Sequence, residues 1–158
     1  MTIEELLLLL HVLGSFWYVV GLSAVQLSYT RATQATEYTE QAVALEEAAH
    51  YQGVLLVPGA IAIGSTGIFY WSKLDYNVAT TGWLLAVEGL YLLTLFVCLP
   101  VIGIGLRRAR VASLKARRAG GSEPELEAAL QDNAPLLFGG LATILVPVMA
   151  YLSISHPF

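Results

Sequence analysis

The sequence predicts an all-α protein: a four-helix transmembrane bundle with a cytoplasmic helical extension between helices one and two. Three observations carry this expectation. Of 158 residues, 56% are hydrophobic and only 13% charged, about half the roughly 25% charged residues of a soluble domain. The mean hydropathy is +0.66. Four apolar runs, 6–27, 53–71, 82–106 and 135–154, each approach the ~20 residues that an α-helix needs to cross about 30 Å of hydrocarbon. With the connecting segments 28–52 and 107–134 they use most of the chain, so residues 1–158 read as a single membrane domain.

The first run starts after Glu4 and Glu5 instead of a basic region, and it is too long for the core of a secretory signal, so it reads as a retained helix. Along it His11, Ser15, Tyr18, Leu22 and Gln26 share one helical stripe with Gly14 beside it, which aims most polar atoms at the bundle interior. Residues 30–49 contain no Gly or Pro, and their second half is rich in helix formers. Ala42, Leu45 and Ala49 lie on a face opposite Glu40 and Glu47. This stretch is therefore expected to stay helical and to lie along the interface or pack on a neighbour. His50 is one turn after Glu46, and a contact between the two is the simplest expectation.

The second run carries Gly53, Ala60, Gly64 and Gly67 on one face, where small residues let another backbone approach closely. Pro58, Pro100 and Pro147 fall inside helices two, three and four, and each should kink its helix or free a carbonyl. The third run holds Glu88, the only acid within any of the four runs. Thr94 and Cys98 fall on a different face from it. Cys98 is the only cysteine, so it allows neither an intramolecular disulfide nor a Cys-rich metal site, and it reads as a small apolar filler.

After the third run come Arg107, Arg108, Arg110, Lys115, Arg117 and Arg118, suited to setting topology and binding anionic headgroups rather than nucleic acid. Gly120, Gly121 and Ser122 form a break, with Ser122 expected to cap a short acidic helix that has Pro124 in its first turn. The basic stretch shares a side with Arg31, which the positive-inside rule makes the cytoplasm. Both termini then face outside in a multi-pass inner-membrane topology, with Tyr70, Trp71, Tyr76, Trp83 and Tyr151 as an outer aromatic belt. No internal repeat supports an inverted-repeat transporter. No nucleophile–base signature, phosphate loop or specific metal motif is present, which argues against hydrolysis and leaves enzymatic activity open.

A carboxylate at the bilayer centre costs ~3 kcal/mol or more unless it is paired or protonated. His11 is the natural partner of Glu88. It lies about five residues in from the outer end, a depth of roughly 8 Å, and Glu88 is at a similar distance from the outer start of helix three. Three readings are open for such a pair. It is a structural hydrogen bond, a site for heme b or a transition metal with Glu88 orienting His11 or serving as second ligand, or a shuttle for protons or quinol hydrogens. His156, near the outer end of helix four, either joins this layer or is a solvated interface histidine. His50 lies at the opposite face of the membrane and is excluded. The leading functional expectation is a heme- or metal-binding redox accessory protein in contact with membrane lipid. The alternative is a non-catalytic accessory or scaffold subunit that packs on other membrane subunits, or on a second copy, through the small-residue face of helix two.

Several short motifs occur in a distinctive order: LHVLG at 10–14, Gly21, VPG at 57–59, Thr66-Gly67 before Trp71, Trp83, Pro100 ahead of Arg107-Arg108, and a final 149–157. In that order they resemble a bacterial family of predicted four-helix integral membrane proteins, a domain of unknown function. The resemblance covers almost the whole chain and implies architecture and membrane location. More distantly, His11, Gly14 and Trp17 are similar to the first helix of copper-resistance membrane domains and of the heme-linked membrane protoporphyrinogen oxidase. Those bundles use further histidines in later helices, where this sequence has Glu88.

Overall fold

The computed structural model describes every residue except Asp75, Ser122 and Phe158. Helix α1 (Ile3–Gln34) forms the first span. Helix α2 (Tyr38–Tyr51), a π turn at Gln52–Leu56 and α3 (Val57–Lys73) run together as the second. Helix α4 (Gly82–Leu93), a π turn at Thr94–Cys98 and α5 (Leu99–Ala119) make the third. The short α6 (Pro124–Gln131) precedes α7 (Ala134–Ser155), the fourth. Four helices are thus long and apolar enough to cross a membrane, and no strand is present among the described residues.

The helices outrun the apolar segments. α1 starts at Ile3 rather than Leu6 because Thr2 and Glu5 form a capping box. Thr2 Oγ1 accepts the Glu5 N–H at 3.2 Å, and the Glu5 carboxylate accepts the Thr2 N–H at 2.9 Å. The third span runs 38 residues, ~57 Å at 1.5 Å per residue, far beyond ~30 Å of hydrocarbon. Charges from Arg107 onward end the apolar run but not the helix. Ala109, Ala112 and Ala116 keep one face buried until Gly120, at φ 76°, stops the helix in the left-handed region.

That overshoot builds a layer outside the apolar runs. Ala32 of α1, Ala44, Leu45 and Ala48 of α2, the three alanines of α5, and Leu126 and Ala129 of α6 belong to one buried cluster. So residues 28–52 do pack on a neighbour, with a break between α1 and α2 where Gln41 Nε2 donates to the Ala35 carbonyl at 2.8 Å. Ion pairs rim the layer: Arg31–Glu47 at 2.8 Å, Arg110–Glu46 at 2.9 Å and Lys115–Glu125 at 2.6 Å. Such exposed pairs contribute ~0–1 kcal/mol each, so the layer rests on its alanine and leucine burial. The expected His50–Glu46 contact is not made. Arg110 takes the Glu46 carboxylate, and the His50 ring meets Tyr51 edge-on at 5.8 Å. The cap expected at Ser122 lies outside the described residues; Glu123 is the N-cap of α6, with no side-chain bond.

Prolines disturb the spans at the expected places, in a specific form. Pro58 and Pro100 each stand just past a π turn, Gln52–Leu56 and Thr94–Cys98, at the same offset. Proline has no N–H, and its ring crowds the carbonyl four residues back. The wider π turn relieves this, with the Val57 N–H reaching the Gln52 carbonyl and the Leu99 N–H reaching Thr94. Pro147 remains inside α7.

The spans pack in chain order around a ring: first on second, second on third through α2 and α5, third on fourth, fourth on first. The first and third spans are therefore diagonal. Backbone meets backbone between first and second. A Cβ on Gly21 would lie 2.5 Å from the Leu56 nitrogen, and one on Gly59 would lie 2.7 Å from the Tyr18 nitrogen. Gly14 sits opposite Ala62, where a Cβ fits at 3.4 Å. These contacts set the antiparallel register, 14 with 62, 18 with 59 and 21 with 56. The small-residue face of the second span is accordingly spent inside the bundle. Ala60 is buried, Tyr91 fills the space at Gly64, and the His11 ring lies against Gly67. Gly53 has nothing within reach of a Cβ, and Pro58 is half-buried.

Replacing Gly21 or Gly59 by alanine should therefore force two backbones apart and cost about 1–3 kcal/mol, while Gly53→Ala should be neutral or slightly stabilising. Thermal unfolding of the detergent-solubilised variants, followed by size-exclusion chromatography, checks the contrast.

Candidate functional site

The register of the first two spans decides where His11 goes. Its Nδ1 lies 3.2 Å from the Ile63 carbonyl oxygen and 3.1 Å from Thr66 Oγ1. The Thr66 hydroxyl sends its own proton back to the Ala62 carbonyl at 2.5 Å, so it offers His11 only lone pairs. Two acceptors at Nδ1 place the proton there, which makes Nε2 of the neutral ring an acceptor. Among the described residues nothing donates to Nε2. Ser15 does not join this site, because its hydroxyl donates to the His11 carbonyl at 2.8 Å, within its own helix.

Glu88 does not meet His11. It is half-buried at the terminal half of the third span, and no ion pair joins the two among the described residues. Similar distances from the ends of their helices do not bring the two together, because the spans that carry them are diagonal in the ring. Glu88 instead faces the side chains of Trp71 and Tyr91. The Trp71 indole N–H is buried with no partner at full hydrogen-bond geometry, and the carboxylate acting on it is that of Glu88. Tyr91, one turn beyond Glu88 on the same face, donates to the Ala60 carbonyl at 2.8 Å and lies beside the acid. The i, i+3 spacing of Glu88 and Tyr91 was the available signal for that pairing.

A polar column thus descends through the terminal half: Trp71 and Glu88, then Tyr91, then the Tyr18 hydroxyl, which is buried without a partner near Tyr91 and Cys98. Tyr18, Leu22 and Gln26 do point inward as their stripe required. Gln26 reaches the fourth span, where its side chain fills the space at Gly139. His156 caps α7 at φ 44° and stacks on Trp83, ring centroids 4.2 Å apart. It belongs to the aromatic rim with Tyr76, whose ring meets Trp83 at 5.6 Å, and among the described residues its ring contact is with Trp83, not with His11 or Glu88. Cys98 and Thr94 are buried, and the Thr94 hydroxyl donates to the Leu90 carbonyl at 2.9 Å. Among the described residues no three His, Cys, Asp or Glu side chains come together as a metal site.

Comparison with known proteins gives a family match: a family model described as a predicted integral membrane protein, DUF2269, fits residues 5–157. No curated protein and no solved structure matches the chain.

The geometry distinguishes two couplings by double-mutant cycles. His11→Ala and Thr66→Val share one bond between spans, so their combined destabilisation should fall short of the sum by about 0.6 kcal/mol, the average for such bonds in membranes. His11→Ala and Glu88→Gln should be additive. Reversible unfolding in mixed micelles measures both.

Proposed function

Because the chain belongs to this family of integral membrane proteins, we propose that it serves as a small accessory protein whose working atom is His11 Nε2, held ready for a heme-type redox cofactor in the half of the membrane next to the termini. The observation supporting this is the pair of acceptors at His11 Nδ1. A metal-ligating imidazole has the same arrangement, its second nitrogen donating to a carbonyl that fixes the ring and its tautomer. Donor count then separates the two cofactors. A protein-held transition metal takes three or more side-chain ligands, a set that the described residues do not assemble. Heme brings four nitrogens of its own and needs a single proximal histidine.

In this reading the residues have distinct tasks. His11 Nε2 would hold the heme iron, while the Ile63 carbonyl and Thr66 hydroxyl fix its ring. Gly67 leaves room for that ring, since a Cβ there would stand 3.2 Å from His11 Cε1. Trp71 of the second span and Glu88 of the third would provide a polar edge nearby. Heme would supply one-electron redox chemistry. The orientation with both termini outside and the basic layer in the cytoplasm completes the proposal.

A second reading has its own observation: the same His11 bond also closes the first span on the second, a purely structural service for a non-catalytic subunit of a larger complex. Its contact surface would have to lie elsewhere than the glycine face of the second span, which the bundle itself occupies.

Visible spectra of the purified protein after heme addition, oxidised and dithionite-reduced, separate the two. The redox reading expects a Soret band that shifts on reduction and is lost in His11→Ala but kept in Glu88→Gln. No Soret band in the parent sinks it. Copurification with a stoichiometric membrane partner and no Soret band supports the structural reading.

A further inference from the structure

At the opposite end of the bundle, a different group is left without a partner. Most cations of the basic layer are engaged: Arg31, Arg110 and Lys115 by the pairs above, and Arg108 by Asp132 at 3.6 Å. Arg107 has no ion pair or hydrogen bond among the described residues. It is also the first charge after Glu88 along the third span, about 28 Å farther on at 1.5 Å per residue. Because Glu88 itself starts roughly 8 Å inside the apolar run, that rise carries the chain just past ~30 Å of hydrocarbon, to the lipid headgroup level.

Arg107 borders a groove of about 530 Å³ between the second and third spans. The groove is built by sequence features described above. Gly53 in the π turn leaves it open, with nothing within 4 Å of where a Cβ would be, and Gly103 faces it from the third span. The Gln52 amide lies against Gly103 and makes no hydrogen bond among the described residues. Val57 and Val111 supply apolar walls. An unpaired guanidinium and an unpaired amide therefore stand at the mouth of an apolar slot.

We propose that this groove holds one anionic glycerophospholipid of the adjacent leaflet, its phosphate on Arg107, an ester oxygen on the Gln52 amide, and one acyl chain along Gly53, Val57 and Gly103. Charge complementarity selects the occupant. A guanidinium matches a phosphate in fork geometry, and Arg107 is the cation of the groove lining without a carboxylate partner, since Arg110 is held by Glu46. This site is independent of the His11 layer.

Native mass spectrometry of the protein released from mixed micelles of phosphatidylglycerol and phosphatidylcholine tests it, with Arg118→Gln as the control for general surface charge. The parent should retain phosphatidylglycerol in preference. Arg107→Gln should lose about fivefold in that preference, the ratio for about 1 kcal/mol per basic charge at a membrane surface, while Arg118→Gln keeps it. Gly53→Leu, which fills the slot and leaves every charge in place, should lower retention too. Equal retention of the two lipids by the parent, or equal losses in Arg107→Gln and Arg118→Gln, overturns the proposal.

Discussion

The arrangement depends on one steric constraint, the backbone contact of the first two spans at Gly21 and Gly59. Lipid gives helices no hydrophobic reason to associate, so close van der Waals approach and bonds between helices must hold them together. Gly21 lies on the Leu55–Leu56 backbone at a π turn, and Gly59 on the backbone of Tyr18. With these two points fixed, the register is fixed, and His11 arrives opposite Ile63 and Thr66. A side chain at either glycine would separate the spans and take the acceptors away from the imidazole.

The two ends of the bundle are held by different forces. At the basic end the spans outrun the bilayer and enclose alanines, Leu45 and Leu126, a core that buries apolar surface from water as in a soluble protein. Toward the termini, burial is sparse and side chains bridge the gaps: Tyr91 to the Ala60 carbonyl and His11 to Thr66. Among the described residues, the buried Tyr18 hydroxyl and Trp71 indole N–H also lack a full partner there. Satisfying such atoms in a low-dielectric setting matters more than in water, which makes this half the one where a bound group has most to gain.

Much of this was legible in the sequence, for identifiable reasons. Runs of apolar residues gave the four spans, since length and hydropathy suffice for that. Their ends were not legible, because Arg107 through Arg118 interrupt the hydropathy while Ala109, Ala112 and Ala116 continue the helix. The prolines marked the irregular points but not the π turns that absorb them. For the site, periodicity oriented the first-span stripe, with Tyr18 and Leu22 buried. It could not give the azimuth of Glu88, because which spans are neighbours and which are diagonal is settled by glycine contacts between spans. Thr66 and Trp71 stood in the sequence as short motifs, and their tasks appear only once the second span is laid against the first and third.

The most direct test of this account is nitrogen-15 NMR of the histidine-labelled protein in a bilayer mimic at neutral pH, with the His11 resonances assigned by their loss in His11→Ala. The account expects a protonated Nδ1 and a bare Nε2 in the parent, with the Nδ1 resonance displaced in Thr66→Val. A ring protonated at Nε2, or a spectrum indifferent to Thr66, would contradict it.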